Sequence, residues 1–376
     1  MSINIQEILV ANICGMVMVF FLLFFRIEGK GSKKISEKLY NSMLLITLMA
    51  LITETISFLI DGKQFFGCFV LQYVTNTVCT GSTVLVGWLW CLFVDFRIYR
   101  SIQRLNKKAI QLGIFAWAVI FCLFINLFGN GLVFRISSDN TYTRSPFNYV
   151  IYLILFFYFI ESIVIVYRSR NKGVSVIFFP ICYFVIPCIL GTAMQGIFPG
   201  IATGWLSVSM NFIFVSLEVQ RFNAFVDDMS GLFNRKYMNY YLEKIEKIGA
   251  ENFYGIMFDI NSFKKINDNY GHLIGDLAIG EVGRILSEAV PQNSIAMRMA
   301  GDEFVIFMEH GSLKKMQDLR EEIRMKTEHF NETTDLPFRL SMSTGIAKYD
   351  GKDIEKFMFA MDKEMYEEKK KYHIVR

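Results

Sequence analysis

The sequence predicts a multi-pass α-helical membrane half followed by a soluble α+β half. Three observations predict it. The chain of 376 residues is 53% hydrophobic, more than an ordinary soluble protein of this length carries. The apolar residues concentrate before about Gln220, in long runs separated by basic spacers. Beyond Gln220, short runs with strand-like or helical spacing alternate with charged segments.

Charge and cysteine usage narrow the class. The net charge is only +4, and the basic residues cluster between apolar runs, so a membrane surface accounts for them and a nucleic-acid polymer is not needed. All seven cysteines lie in the apolar half, with no CxxC pair. That excludes an obvious disulfide framework or zinc site and reads as buried thiols acting as small apolar residues. The cysteine-free soluble half is consistent with the cytoplasm.

A membrane span takes about 20 apolar residues. Seven segments qualify: 6–26, 39–60, 66–95, 109–128, 147–167, 174–196 and 201–219. The first lacks a basic n-region and a small-residue cleavage pattern, so it reads as a retained helix and not a signal peptide. The third is long enough to tilt. Lys30, Lys33, Lys34 and Lys38 follow the first span; Arg97, Arg100, Arg104, Lys107 and Lys108 follow the third; Arg168, Arg170 and Lys172 follow the fifth. The alternate loops are poorer in Lys and Arg. The positive-inside rule then predicts a plasma-membrane protein with its N-terminus outside and its C-terminal domain in the cytoplasm. Glu54, Asn76 and Glu161 are the deepest polar residues. They are functional candidates, or they hydrogen-bond neighbouring helices and fix packing. The longest outer loop, 129–146, is short for a folded ligand-binding domain, so a signal is expected to enter through the spans or a small pocket at their outer face.

The expected domains are 1–219 in the membrane, a short linker at 220–226 without a long heptad array, and 227–376 in solution. In the soluble half, Asp227–Arg235 opens a helix whose apolar positions are Tyr237, Met238, Tyr241, Leu242, Ile245 and Ile248, stopped by Gly249. Phe253–Phe258 reads as a buried strand ending at Asp259, and Ser262–Asn267 as a short helix. Asp276 is expected to cap a second helix with Ile279, Val282, Ile285, Leu286 and Ala289 on its apolar face. Two strands follow, around Ser294–Met297 and Phe304–Phe307. Ser312 caps a further helix, Phe338–Ala347 is a strand, and Ile354, Phe357, Met358, Met361 and Met365 line a last amphipathic helix. This order suggests an antiparallel-containing sheet with helices on one side.

The segment joining the two central strands carries the chemistry. Arg298-Met299-Ala300-Gly301-Asp302-Glu303-Phe304 puts two adjacent acids on a Gly-containing turn. By itself this is a polar hairpin tip. If the sheet sets the end of the Asp259 strand beside it, three carboxylates converge, enough to hold one or two Mg²⁺ ions.

Six blocks in register now resemble the GGDEF family of diguanylate cyclases, across about 227–376. They are Asp227…Ser230-Gly231-Leu232-Phe233-Asn234-Arg235; Phe258-Asp259-Ile260-Asn261-Ser262-Phe263-Lys264-Lys265-Ile266-Asn267-Asp268; Tyr270-Gly271-His272…Gly275-Asp276; Arg298…Phe304; Ser343-Thr344-Gly345-Ile346-Ala347; and Asp362…Tyr366…Lys369. The resemblance implies a palm-like (ferredoxin-like) nucleotidyl cyclase domain that condenses two GTP into cyclic di-GMP, with two subunits of a homodimer facing each other. It implies Mg²⁺ (or Mn²⁺) held by the Asp259 side chain, the Ile260 carbonyl and Asp302. Glu303 would bind metal or act as base on the attacking 3′-hydroxyl. Asn267 and Asp276 would read guanine, His272 would lie near the nucleotide or make a structural hydrogen bond, and Lys264 and Lys369 would bind phosphates. Arg298, Ala300 and Gly301 complete the signature.

The pattern departs from the family at four places. Ala300 replaces the first Gly, tolerable if its φ is negative and costly if positive. Asn261 stands where a second Asp is usual, and Tyr372-His373 replaces the usual Gly-Arg. Pro291-Gln292-Asn293-Ser294 occupies the place of the family's Arg-x-x-Asp product site, so that site is expected to be absent. The expected function is a membrane-tethered diguanylate cyclase whose membrane helices set how two catalytic faces meet. The alternatives are a non-catalytic GTP-binding relay, or a transporter or receptor with a regulatory soluble domain.

Overall fold

Lipid offers the backbone no hydrogen-bond partners, so long apolar runs fold as helices. In the computed structural model, which describes residues 5–24, 32–99, 101–170, 181–198, 201–291 and 293–374, this is what they do. The chain divides into two compact units, Met1–Val219 and Gln220–Arg376.

The first unit contains α1 (Ile5–Phe24), α2 (Ser32–Ile60), α3 (Cys68–Tyr99), α4 (Ile102–Asn126), the hairpin β1 (Phe134–Ile136) and β2 (Tyr142–Arg144), α5 (Phe147–Arg170), α6 (Ile181–Ile197) and α7 (Gly204–Asn223). Among the described residues, α1 to α5 are the helices long and apolar enough to cross a membrane. This is fewer than the seven spans expected. The described part of α6 is 17 residues, and residues 174–180 of the sixth predicted span lie outside the described residues. Ser207, Ser209, Asn211 and Ser216 lower the hydropathy of α7. That helix continues through Gln220–Asn223, inside the segment expected as a linker.

Polar side chains tie these helices together. Trp90 stacks on Phe184 with ring centroids 3.6 Å apart, and its Nε1 donates to Ser162 Oγ at 3.2 Å. Asn76 Nδ2 donates to Ser57 Oγ at 2.8 Å, and Lys108 Nζ meets Glu161 at 2.7 Å. Asn76 and Glu161 are thus helix-packing residues here. The hairpin is pinned by Asn140, whose φ of 61° is left-handed and whose Nδ2 donates to Ile60 O and Lys63 O at 2.9 and 3.0 Å.

The second unit contains α8 (Arg235–Ile248), β3 (Tyr254–Ile260), α9 (Phe263–Tyr270), α10 (His272–Ala289), β4 (Ser294–Ala300), β5 (Glu303–Met308), α11 (Leu313–Thr333), β6 (Met342–Lys348) and α12 (Ile354–Ile374). The sheet has the order β4-β5-β3-β6, with every pair antiparallel. Asn234 caps α8 by accepting from Tyr237 N, Gly249 ends it at φ 63°, and Ser312 Oγ caps α11.

Helices cover both faces of this sheet, not one side. Period-2 alternation sends Ile256, Phe258, Ile260, Phe304 and Ile306 into a core with α10 and α11. It sends Phe307 to the other face, where it packs on Tyr241 of α8 and Phe357 of α12. Both alternating sets of the central strands are apolar, so both must be covered.

Two element boundaries also differ from expectation. Strand β6 starts at Met342, although Phe338 and Leu340 are buried. Asn331 takes both backbone groups of Leu340, at 2.7 Å each, and so replaces a strand partner. Helix α10 starts at His272 behind Gly271 (φ 83°), so Asp276 lies one turn inside the helix and does not cap it. A glycine at positive φ can break the chain sharply there, so no side-chain cap is used.

Candidate active site

The sheet's antiparallel register builds the acidic edge. Asp259, near the end of β3, is opposite Glu303 on β5 and Ser343 on β6. Ile260 N donates to Asp302 O at 3.2 Å, which brings the signature turn to the end of β3. Asp259 is only 5% exposed, and Lys369 of α12 reaches its two carboxylate oxygens at 2.6 and 2.7 Å. Glu303 is half-buried. Burial raises its carboxyl above the ordinary range, and the charges of Asp259, Asp302 and Asp362 raise it further against the opposing pull of Lys369. Among the described residues, no three His, Cys, Asp or Glu side chains converge as a metal cage, so the expected three-carboxylate cluster is not closed. Carboxylates beside a triphosphate are nonetheless the donor set Mg²⁺ prefers, since it is held through one or two carboxylates plus phosphates. The residues present fit that ion.

The turn itself is braced from two sides. Gly301 adopts φ 47°, and a Cβ there would meet open space, so only the backbone conformation requires glycine. Ala300 is not among the described non-glycine residues at positive φ, and it sits opposite Glu303 next to a bulge. Arg298 donates through Nε and Nη2 to Gly301 O at 2.9 and 2.7 Å, and through Nη1 to Asp227 Oδ1 at 2.9 Å. The same Asp227 oxygen accepts from Ser230 N and Ser230 Oγ at 2.8 Å. Burial pushes the Asp227 carboxyl up, but the Ser230 and Arg298 donors outweigh it and leave it below its usual value.

The second part of the site is the bend between α9 and α10. A methyl on Gly275 would collide with Asn267 Oδ1, so the two helices meet through that contact, and Asp276 is the next residue along. Asp276, His272 and Lys264 are solvent-exposed and Asn267 is partly so. Ser262, at φ 57°, reverses the chain between β3 and α9. Asn261 is buried; its Oδ1 accepts from Ser343 Oγ at 2.7 Å and its N donates to Ser341 O at 2.9 Å. The amide is therefore a strut within the sheet. The side chain of His373 lies outside the described residues.

Three features escaped sequence reasoning. Asp227 was visible only as a motif letter, whereas it anchors Arg298 across 71 positions. Lys369, expected on phosphate, contacts Asp259 here, and Asp362 adds to the field at Glu303. All three depend on contacts distant in sequence, and no local pattern announces them.

The sheet order, the braced Gly301–Asp302 turn and the paired acids coincide with a match to the family model described as "Diguanylate cyclase, GGDEF domain" over residues 224–373. Residues 224–373 are a GGDEF domain. Curated relatives agree. The chain is 31% identical over 150 residues to a protein named probable diguanylate cyclase DgcI of Escherichia coli, covering 39% of this chain and 32% of that one. It is 31% identical over 160 residues to diguanylate cyclase VdcA of Vibrio cholerae, covering 40% and 46%. It is 36% identical over 105 residues to response regulator PleD of Caulobacter vibrioides, covering 27% and 23%. The matched GGDEF region thus spans from about a quarter to about half the length of these relatives. Among solved structures, the coiled coil and GGDEF domain of DgcB from Caulobacter crescentus, in complex with c-di-GMP, aligns with TM-score 0.40 at 24% identity, covering 44% of this chain and 90% of that one.

Proposed function

We propose that the chain is a membrane-bound diguanylate cyclase that condenses two GTP into cyclic di-GMP in response to a membrane or extracellular signal. The observation that carries this reading is the cross-strand pairing of Asp259 with Glu303 beside the Asp302 turn, inside a GGDEF domain.

The roles follow from position. Asp259, Asp302 and the Ile260 carbonyl are the metal-binding group. Bound Mg²⁺ supplies charge neutralisation for the triphosphate and its leaving pyrophosphate and lowers the pKa of the attacking 3′-hydroxyl. Glu303, whose proton affinity is raised by burial and neighbouring acids, is suited to receive that hydroxyl proton. Asn267 and Asp276 hold the guanine edge; a carboxylate accepts from the N1–H and exocyclic amine that adenine does not present together. His272 is exposed at the bend and Lys264 is exposed at the start of α9, where it is the candidate phosphate contact, and Lys369 exchanges Asp259 for phosphate when nucleotide arrives. Each subunit holds one GTP, so the complete reaction needs a homodimer. The Lys/Arg-rich loops favour a plasma-membrane placement with the GGDEF domain in the cytoplasm.

Ala300 does not oppose this reading, because the left-handed conformation falls on Gly301. The test is purified full-length protein with GTP and Mg²⁺, with product detected by mass. Cyclic di-GMP is expected, and Glu303→Gln is expected to lower turnover by about 100-fold or more. GTP binding without product from well-folded dimer would make the domain a relay module instead.

A further inference from the structure

We infer that the membrane unit carries a binding site for a small organic cation with an apolar or aromatic body. The site is a cavity of about 420 Å³ between α2, α3, α5, α6, α7 and the β1–β2 hairpin. That is within the range of small-molecule pockets. One wall is apolar and aromatic: the stacked Trp90 and Phe184, with Phe159 and Trp205. The polar groups include Glu54, Asp61 and Arg144.

The charges do not balance. Glu54 is 5% exposed, and Gln195 Nε2, a neutral amide, donates to its Oε1 at 2.6 Å. Arg144, the cation in the lining, directs Nη1 to the carbonyls of Gln195 and Gly196 at 3.2 and 3.3 Å. Asp61 adds a second carboxylate, which accepts from Tyr142 N and Gln72 Nε2 at 2.8 and 3.1 Å. The lining thus holds two carboxylates and one guanidinium, and that guanidinium is partly engaged elsewhere. A buried carboxylate is costly unless it takes up a proton or a cation neutralises it. An ammonium on Glu54 supplies that charge, and the aromatic wall favours both an apolar body and a cation near ring faces. An anion meets Glu54 and Asp61 and is disfavoured.

Occupancy has a structural consequence. Gln195 also accepts from Gly204 N through Oε1 at 2.8 Å, and Gly204 is the first residue of α7. A cation on Glu54 competes with Gln195 Nε2 and so perturbs the amide that holds the start of α7. The last residue of α7, Asn223, directly precedes the GGDEF domain.

The test reads binding and is independent of cyclase turnover. Full-length protein in detergent micelles is dialysed to equilibrium against 2-phenylethylammonium, 3-phenylpropionate or 2-phenylethanol, with empty micelles as blank. Saturable uptake of the ammonium, at least tenfold tighter than that of the other two, is expected. Glu54→Gln, nearly the same in volume, is expected to weaken it at least tenfold while eluting like the parent. If that variant does not elute like the parent, Glu54→Asp is measured instead and is also expected to bind more weakly. Equal uptake of the three probes, no saturable uptake of the ammonium, or unchanged affinity in a folded Glu54 variant overturns the assignment.

Discussion

Ala300 and Gly301 are adjacent and small, yet they answer to different demands. Gly301 alone carries a left-handed φ, of 47°. Gly301→Ala is therefore expected to destabilise the soluble unit by about 1–2 kcal/mol, read by urea melting of residues 220–376. Ala300→Gly is expected to leave turnover within about threefold, because it changes neither the turn conformation nor the acids; a tenfold gain would mean that the methyl obstructs nucleotide. Glu303 makes a second prediction. Its folded pKa is raised, so folding favours its protonated form. That contribution is fully present below its unfolded-state value and is lost as pH rises through the raised folded value. Without metal or nucleotide, Glu303→Gln should melt at a higher temperature than the parent at pH 8, with the difference shrinking towards pH 4. A gap that is constant across this range would contradict the assignment. The paired acids were visible on the Gly-containing turn, and Asn267 and Asp276 were named as site residues only through the resemblance to the GGDEF family. The sign of φ at Ala300 was not legible, since a sequence states only which residues tolerate a conformation.

At the scale of elements, α12 lies against β6 and β3 at glycines. A Cβ on Gly345 would collide with the α12 backbone at Met361 O and Met365 N. Gly345→Ala is expected to cost about 1–3 kcal/mol by overpacking and to lower turnover by displacing Lys369 and Asp362, measured by urea melting and product formation. The same helix closes an open sheet edge. β6 is an edge strand, and its Ile346 and Thr344 N–H groups donate to Glu364, at 3.0 Å, and to Glu368. Such an edge left bare would invite pairing with another chain. Helical periodicity made α8, α10, α11 and α12 readable, and their caps at Asn234, Gly249 and Ser312 are local chemistry. The start of β6 was misread because Asn331, a side chain from α11, supplies the hydrogen bonds that a strand partner would.

At the scale of the whole molecule, the chain joins an apolar helical unit to a GGDEF domain. If two sites must face each other, specific activity should rise with protein concentration at dilute enzyme and reach a plateau once dimer forms. Activity strictly proportional to concentration, with monomer alone present by light scattering, would refute the homodimer. The division into halves and the presence of apolar helices were readable because lipid demands long uninterrupted runs. The sequence by itself determined these halves and the helical faces, since each rests on composition or on spacing over a few turns, and it named the acidic signature through the resemblance of six blocks to the GGDEF family. Only the tertiary structure decided that helices cover both sheet faces, that Asp227 braces Arg298, that Lys369 sits on Asp259, and that Glu54 and Arg144 share a cavity. These are meetings of residues far apart in the chain, set by packing and register, and they leave no local periodicity to read.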